Sequence, residues 1–90
     1  MSRSRTEVEV DIEDIVRQMI INELRWTGPA SELSSTYRLL DNGAIDSQGM
    51  FELVGLLERR YDIEIDDEDL VPENFETIAD IAALVLSKRE

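Results

Sequence analysis

Cysteine and histidine are absent from the 90 residues, and lysine occurs once, at Lys88. Without cysteine no disulfide can form, so the fold must stand on its apolar core. No thiol of the chain's own can act as a nucleophile. A Cys/His zinc site is excluded on residue supply, and so is a serine nucleophile served by a histidine base. No apolar run approaches membrane-spanning length. Basic side chains are scarce, 9 against 21 acidic ones, for a formal net charge of −12. That balance argues against nucleic-acid phosphates and anionic membranes as partners, and for proteins that present basic surfaces.

What is present suffices for one small domain. The hydrophobic fraction is 42% over 90 residues, room for a single modest core. Residues 1–5, Met1-Ser2-Arg3-Ser4-Arg5, read as a disordered tail. They are basic but lead into no apolar segment of the kind a secretory signal needs. Residues 6–90 read as one domain of a cytoplasmic, monomeric protein.

Three segments have helical periodicity. Val8, Ile12, Ile15, Val16, Met19, Ile20 and Leu24 recur at helical spacing. Thr6 or Asp11 is the expected cap of this helix, and Thr27-Gly28-Pro29 its stop. Residues 27–46 form a long connection, with Leu33, Tyr37, Leu39 and Leu40 as the residues that pin it to a core. A second helix is expected from Ser47 to about Tyr61. Met50, Leu53, Val54, Leu57 and Tyr61 face inward, while Gln48, Phe51, Glu52, Gly55, Glu58 and Arg59 face outward. Ile63 and Ile65 alternate with acidic residues but have no second strand to pair with, so they read as an extended link. A short helix over Asp66–Val71 is expected, then Phe75 as an apolar plug. Thr77 and Asp80 have the spacing of a cap for a last helix through Ile78, Ile81, Ala82, Val85 and Leu86. Trp26 reads as a lid at the end of the first helix.

The chain's chemistry centres on Leu40-Asp41-Asn42-Gly43-Ala44-Ile45-Asp46-Ser47. Ser47 sits where a helix starts, as cap or first-turn residue. There its side chain stays accessible, and the unpaired N–H groups favour an anion nearby. The plainer reading makes Ser47 a helix cap and nothing more.

Asp46-Ser47, Glu52-Leu53-Val54, Leu57-Glu58 and the closing Tyr61-Asp62-Ile63-Glu64-Ile65-Asp66-Asp67-Glu68 together resemble the acyl carrier proteins, including the peptidyl carrier domains, over roughly residues 8–87. The resemblance implies an all-α fold, a small four-helix bundle of three main helices and one short helix with a long first loop. It implies that Ser47 carries a covalent 4′-phosphopantetheine arm, placed there by a phosphopantetheinyl transferase. Asp46 would be recognised by that transferase. The arm's thiol would hold an acyl or aminoacyl unit as a thioester. The protein would be a carrier and not an enzyme, with no metal and no catalytic residue of its own. A loading ligase or transferase and a synthase or acyltransferase would be its further partners. Gln48, Phe51, Glu52, Gly55, Glu58 and Arg59 would form the partner face.

Two departures bear on the pathway. Gln48 stands where the family usually has leucine, and Arg59 and Arg60 fall where fatty-acid carriers tend to be acidic. Glu68 to Ile78 looks like small stand-alone carriers of secondary-metabolite pathways of polyketide or non-ribosomal peptide type. The alternatives are a fatty-acid synthesis carrier, an unmodified acidic interaction module, or a calcium-binding loop. Asp62, Glu64, Asp66 and Glu73 have EF-hand spacing, but Asp67 occupies the position that demands glycine.

Overall fold

The computed structural model describes residues 4–89. Three α-helices make the fold: α1, Arg5–Asn22; α2, Ser47–Tyr61; and α3, Ile78–Arg89. Single 3₁₀ turns at Ala30–Glu32, Asp67–Asp69 and Pro72–Asn74 punctuate the connections, and no strand occurs among the described residues. The all-α architecture expected from the sequence is present. Its short fourth element takes the form of two 3₁₀ turns, the second opened by Pro72, whose fixed φ suits a first helical position.

The core lies between α1 and α3, which make the main helix contact. Helix α1 contributes Ile12, Val16 and Ile20; α3 contributes Ile78, Ile81, Ala82, Leu84, Val85 and Leu86. Apolar nearly all round, α3 is buried on more than one side, and this brings in Leu84, which the stripe read from sequence left out. Leu53, Val54 and Leu57 close the core from α2. Phe75 is wholly buried, the apolar plug its isolation suggested. Thr77 and Asp80 bond reciprocally at the start of α3, with Asp80 N–H donating to Thr77 Oγ1 at 3.1 Å and Thr77 Oγ1 donating to Asp80 Oδ2 at 2.9 Å.

The ends of α1 differ from expectation. Ser4 is the cap, its hydroxyl accepting from the Glu7 N–H at 3.2 Å, so neither Thr6 nor Asp11 serves. The expected tail of residues 1–5 is corrected to this extent: Arg5 opens the helix, while residues 1–3 lie outside the described residues. At the other end the helix stops at Asn22, short of Thr27-Gly28-Pro29. Arg25 adopts left-handed backbone, φ 59°, and turns the chain away. Trp26 therefore lies beyond the helix. Its ring rests on Gly28, where a Cβ would come within 2.6 Å of it, and stands edge-on to Tyr37 at 6.0 Å.

The long connection is held at several points. Leu33, Leu39 and Ile45 are buried, while Tyr37 and Leu40 are half-buried. Leu39 N–H donates to the Glu76 carbonyl and Ala79 N–H to the Ser35 carbonyl, at 2.8 and 3.0 Å. Arg17 Nε donates to the Leu33 carbonyl, and Ser35 Oγ donates to Glu13. These bonds tie the loop to α1 and to the start of α3. They fix where the chain re-enters at α2.

Candidate functional site at the start of α2

Gly43, at φ +74°, makes the turn before α2, a conformation that glycine adopts without steric cost. The Leu39 carbonyl then accepts the N–H groups of Ala44 at 2.8 Å and Ile45 at 3.3 Å. With the Ile45 side chain sunk into the core, the two residues before α2 are anchored. Asp46 follows in extended conformation as the N-cap, and its Oδ1 accepts the Gly49 N–H at 2.7 Å.

Ser47 is consequently the first residue of the helix and not its cap. Its side chain is exposed and engaged by no other described residue. The capping role open to Ser47 on sequence grounds is taken by Asp46. The N–H groups of Ser47 and Gln48 have no intrahelical acceptor, as at any helix start, and they lie at the positive end of a 15-residue helix. A phosphodiester on Ser47 Oγ would meet these donors, so the residues present fit such a group.

The outward-facing residues of α2 fall into two sets. Gln48, Phe51, Glu52 and Arg59 are exposed, Phe51 at 57% of its surface. Gly55 opens onto free space, with no atom within 4 Å of where a Cβ would stand. Arg59 forms no ion pair among the described residues. Glu58 departs from the set. It is half-buried, and its carboxylate accepts the Ile65 N–H at 2.9 Å. One of its carboxylate oxygens fastens the link after α2.

At the far end of α2, Tyr61 is half-buried, with the Arg89 guanidinium 5.3 Å above its ring. Burial pushes the phenol pKa up, while Arg60 and Arg89 pull against it. The acidic segment after α2 has its own internal partner. Lys88 Nζ lies 3.2 Å from Asp66 and 2.5 Å from Asp69. Asp66 is thereby engaged, and among the described residues no three carboxylates converge to hold a metal ion. The geometry gives the calcium-loop alternative no support.

An open cleft of about 780 Å³ lies between the turn after α1 and the start of α2, and Ser47 is not among the residues that line it. Its walls are the turn after α1 from Glu23 to Thr27, the approach to α2 from Gly43 to Asp46, and Gln48, Gly49 and Glu52 of α2. Glu23 and Arg25 line this cleft and have no signal in the sequence, since an exposed charge beyond a helix end has no periodic signature. Met50, Leu53, Val54 and Leu57 face the core, as their inward stripe implies, and none of them lines this cleft.

The family model described as "Phosphopantetheine attachment site" matches residues 14–85. No curated protein and no solved structure matches the chain. No helix among the described residues is long and apolar enough to cross a membrane.

Proposed function

The chain belongs to the phosphopantetheine-attachment family, and from that premise we propose that Ser47 is the serine that bears the arm. Domains of this family are carriers and not catalysts. They are substrates of a phosphopantetheinyl transferase and hold 4′-phosphopantetheine covalently on a serine. The observation that supports Ser47 is the division of labour at the start of α2: Asp46 caps the helix, leaving Ser47 exposed with a free hydroxyl. The arm supplies the thiol that a chain without cysteine lacks. Asp46 presents one carboxylate oxygen to Gly49 and keeps the other for the transferase.

The partner face is the outer side of α2, with Gln48, Phe51, Glu52, Gly55 and Arg59. A carrier docks and leaves repeatedly, which suits a small, partly electrostatic interface. Glu52 meets basic side chains of an enzyme, and the unpaired Arg59 repels a basic patch built for an all-acidic helix. Together with Gln48, this favours a dedicated secondary-metabolite pathway of polyketide or non-ribosomal peptide type, located in the cytoplasm, over general fatty-acid synthesis. A loading ligase or transferase would supply the unit.

The test is labelling by a broad-specificity transferase with a fluorescent coenzyme A analogue and magnesium. Wild type is labelled, while Ser47→Ala keeps its helical circular dichroism and takes no label. Label on the variant removes Ser47 from its role.

A further inference from the structure

We propose that Asn42-Gly43 is a site of slow self-modification, in which the Asn42 side chain closes on the Gly43 nitrogen, and that the isoaspartyl product disables the approach to Ser47. The modification stands apart from the Ser47 reading; its effect on arm attachment rests on that reading.

Chemistry singles out this pair. The Gly43 nitrogen loses its proton and attacks Asn42 Cγ. The Cγ–Nδ2 bond breaks, ammonia leaves with that proton, and a cyclic imide remains. Water then opens the ring at either carbonyl. One opening gives aspartate. The other gives isoaspartate, in which the main chain runs through the former side chain and gains a methylene. Glycine has no side chain to shield its nitrogen, whereas the other two asparagines precede larger residues, Asn22 before Glu23 and Asn74 before Phe75. Asn42 and Gly43 are both exposed, so water reaches the ring, while Asn74 is half-buried with its Nδ2 donating to the Asp69 carbonyl at 2.8 Å.

The fold holds the reaction back. Asn42 Nδ2 donates to the Arg38 carbonyl at 2.9 Å, and Gly43 N–H donates to the Leu40 carbonyl at 3.2 Å. Leaving group and nucleophile are thus tied to different acceptors. The Arg38 guanidinium braces the same turn through Asp41 at 2.9 Å and Glu76 at 3.8 Å. All these bonds lie at the surface, where local opening costs far less than unfolding the core. Opening of the turn therefore sets the pace of the reaction.

The consequence lies downstream. Residues 40–43 form a loop closed by Ala44 N–H on the Leu39 carbonyl at 2.8 Å, and Leu39 is itself fixed by donation of its N–H to the Glu76 carbonyl at 2.8 Å. An added main-chain methylene inside this loop cannot be taken up on the Leu39 side. It displaces Ala44 and Ile45, and with them the capping Asp46 and Ser47. The aspartyl product keeps the backbone length and sets a carboxylate against the Arg38 carbonyl.

The experiment holds arm-free protein in mildly alkaline buffer, folded or in urea, and follows it over weeks by peptide mapping and an isoaspartyl methyltransferase assay. Asn42 is expected to convert while Asn22 and Asn74 persist. Conversion should be faster in urea than in the folded chain, and about two- to fivefold faster in folded Arg38→Gln, which loses an exposed ion pair. Asn42→Gln should not convert. Aged wild type is then given a limited time with transferase, coenzyme A and magnesium, and the arm-bearing and arm-free fractions are separated. Isoaspartate at residue 42 is expected in the arm-free fraction, its attachment slowed on the order of tenfold by misplacement of Ser47. Conversion at Asn22 or Asn74 as fast as at Asn42, or equal rates with and without urea, overturns the proposal. So does isoaspartate shared evenly between the two fractions. Fresh protein that takes no arm at Ser47 defeats the carrier assignment and the second half of this inference, while conversion at Asn42 still decides the first.

Discussion

The Asp46 carboxylate and the Gly49 N–H meet at 2.7 Å, and this one bond separates the two roles that a residue at a helix start can have. Asp46 holds the helix; Ser47 is left for chemistry. Replacing Asp46 with alanine should cost about 1 kcal/mol through loss of the cap. Asparagine caps as well as aspartate, so Asp46→Asn should cost less while removing the charge. If the transferase reads that charge, both variants are modified slowly, although only the alanine form is clearly destabilised. Urea unfolding beside initial rates of modification checks this. An asparagine variant modified at the wild-type rate would reduce Asp46 to a cap.

Gly55 faces open space, whereas a Cβ on Gly49 would stand 3.3 Å from Asp46 Oδ1 and 3.9 Å from Leu24 Cδ1. Gly55→Ala should therefore stabilise the protein by about 0.5–1 kcal/mol through helix propensity, raising Tm by several degrees. Gly49→Ala should gain less, because the new methyl crowds the capping carboxylate. Thermal melts of the two variants test the ordering. If the bare surface at Gly55 serves docking, the more stable Gly55→Ala should also turn over more slowly with a cognate partner.

Lys88 joins the end of α3 to the acidic turn through Asp66 and Asp69. Its ammonium, hydrogen-bonded to Asp69, holds that carboxyl pKa below the usual range, and the same two carboxylates hold the lysine pKa up. A lowered Asp69 pKa contributes stability above the unfolded carboxylate value, lost as pH falls through the folded one. A raised Lys88 pKa contributes stability below the unfolded amine value, lost as pH rises through the folded one. The advantage of wild type over Lys88→Met should be flat between about pH 5 and pH 9 and shrink outside the carboxylate and lysine ranges. Urea midpoints of both proteins across pH measure it. A difference that does not change with pH would contradict the ion-pair account.

Much of this arrangement was legible in the sequence, for identifiable reasons. Helix α2 begins and ends where read, because the Asp-Ser start and the Leu53, Val54, Leu57 stripe agree with its burial. The end of α1 was not legible. Leu24 continues the apolar pattern past Asn22, while the chain is turned by Arg25, a residue type with no preference for left-handed backbone. Helical spacing turns Glu58 outward, and nothing local announces its bond to the N–H of Ile65, seven residues on. The cleft between the turn after α1 and the start of α2 was invisible for the same reason. Its walls come from segments separated in the chain and joined only by the packing of the long loop.

Arg59 tests partner choice. Arg59→Glu, alone and with Gln48→Leu, should be loaded with a simple acyl group and assayed with a fatty-acid synthase enzyme. A gain in turnover over wild type is expected. It should be largest at low salt, since charges are screened over about 10 Å at 0.1 M. The stability cost should stay near that of one cation in the last turn of a helix, about 0.3–1 kcal/mol. Unchanged turnover would remove the charge argument for a dedicated partner.

The account stands most directly on where the arm attaches. Protein treated with transferase, coenzyme A and magnesium should be weighed intact and then digested, with each serine peptide fragmented. One phosphopantetheine is expected, on the peptide that contains Ser47, with Ser2, Ser4, Ser31, Ser34, Ser35 and Ser87 unmodified. An adduct on any of those six, or none at all, would contradict the assignment of Ser47.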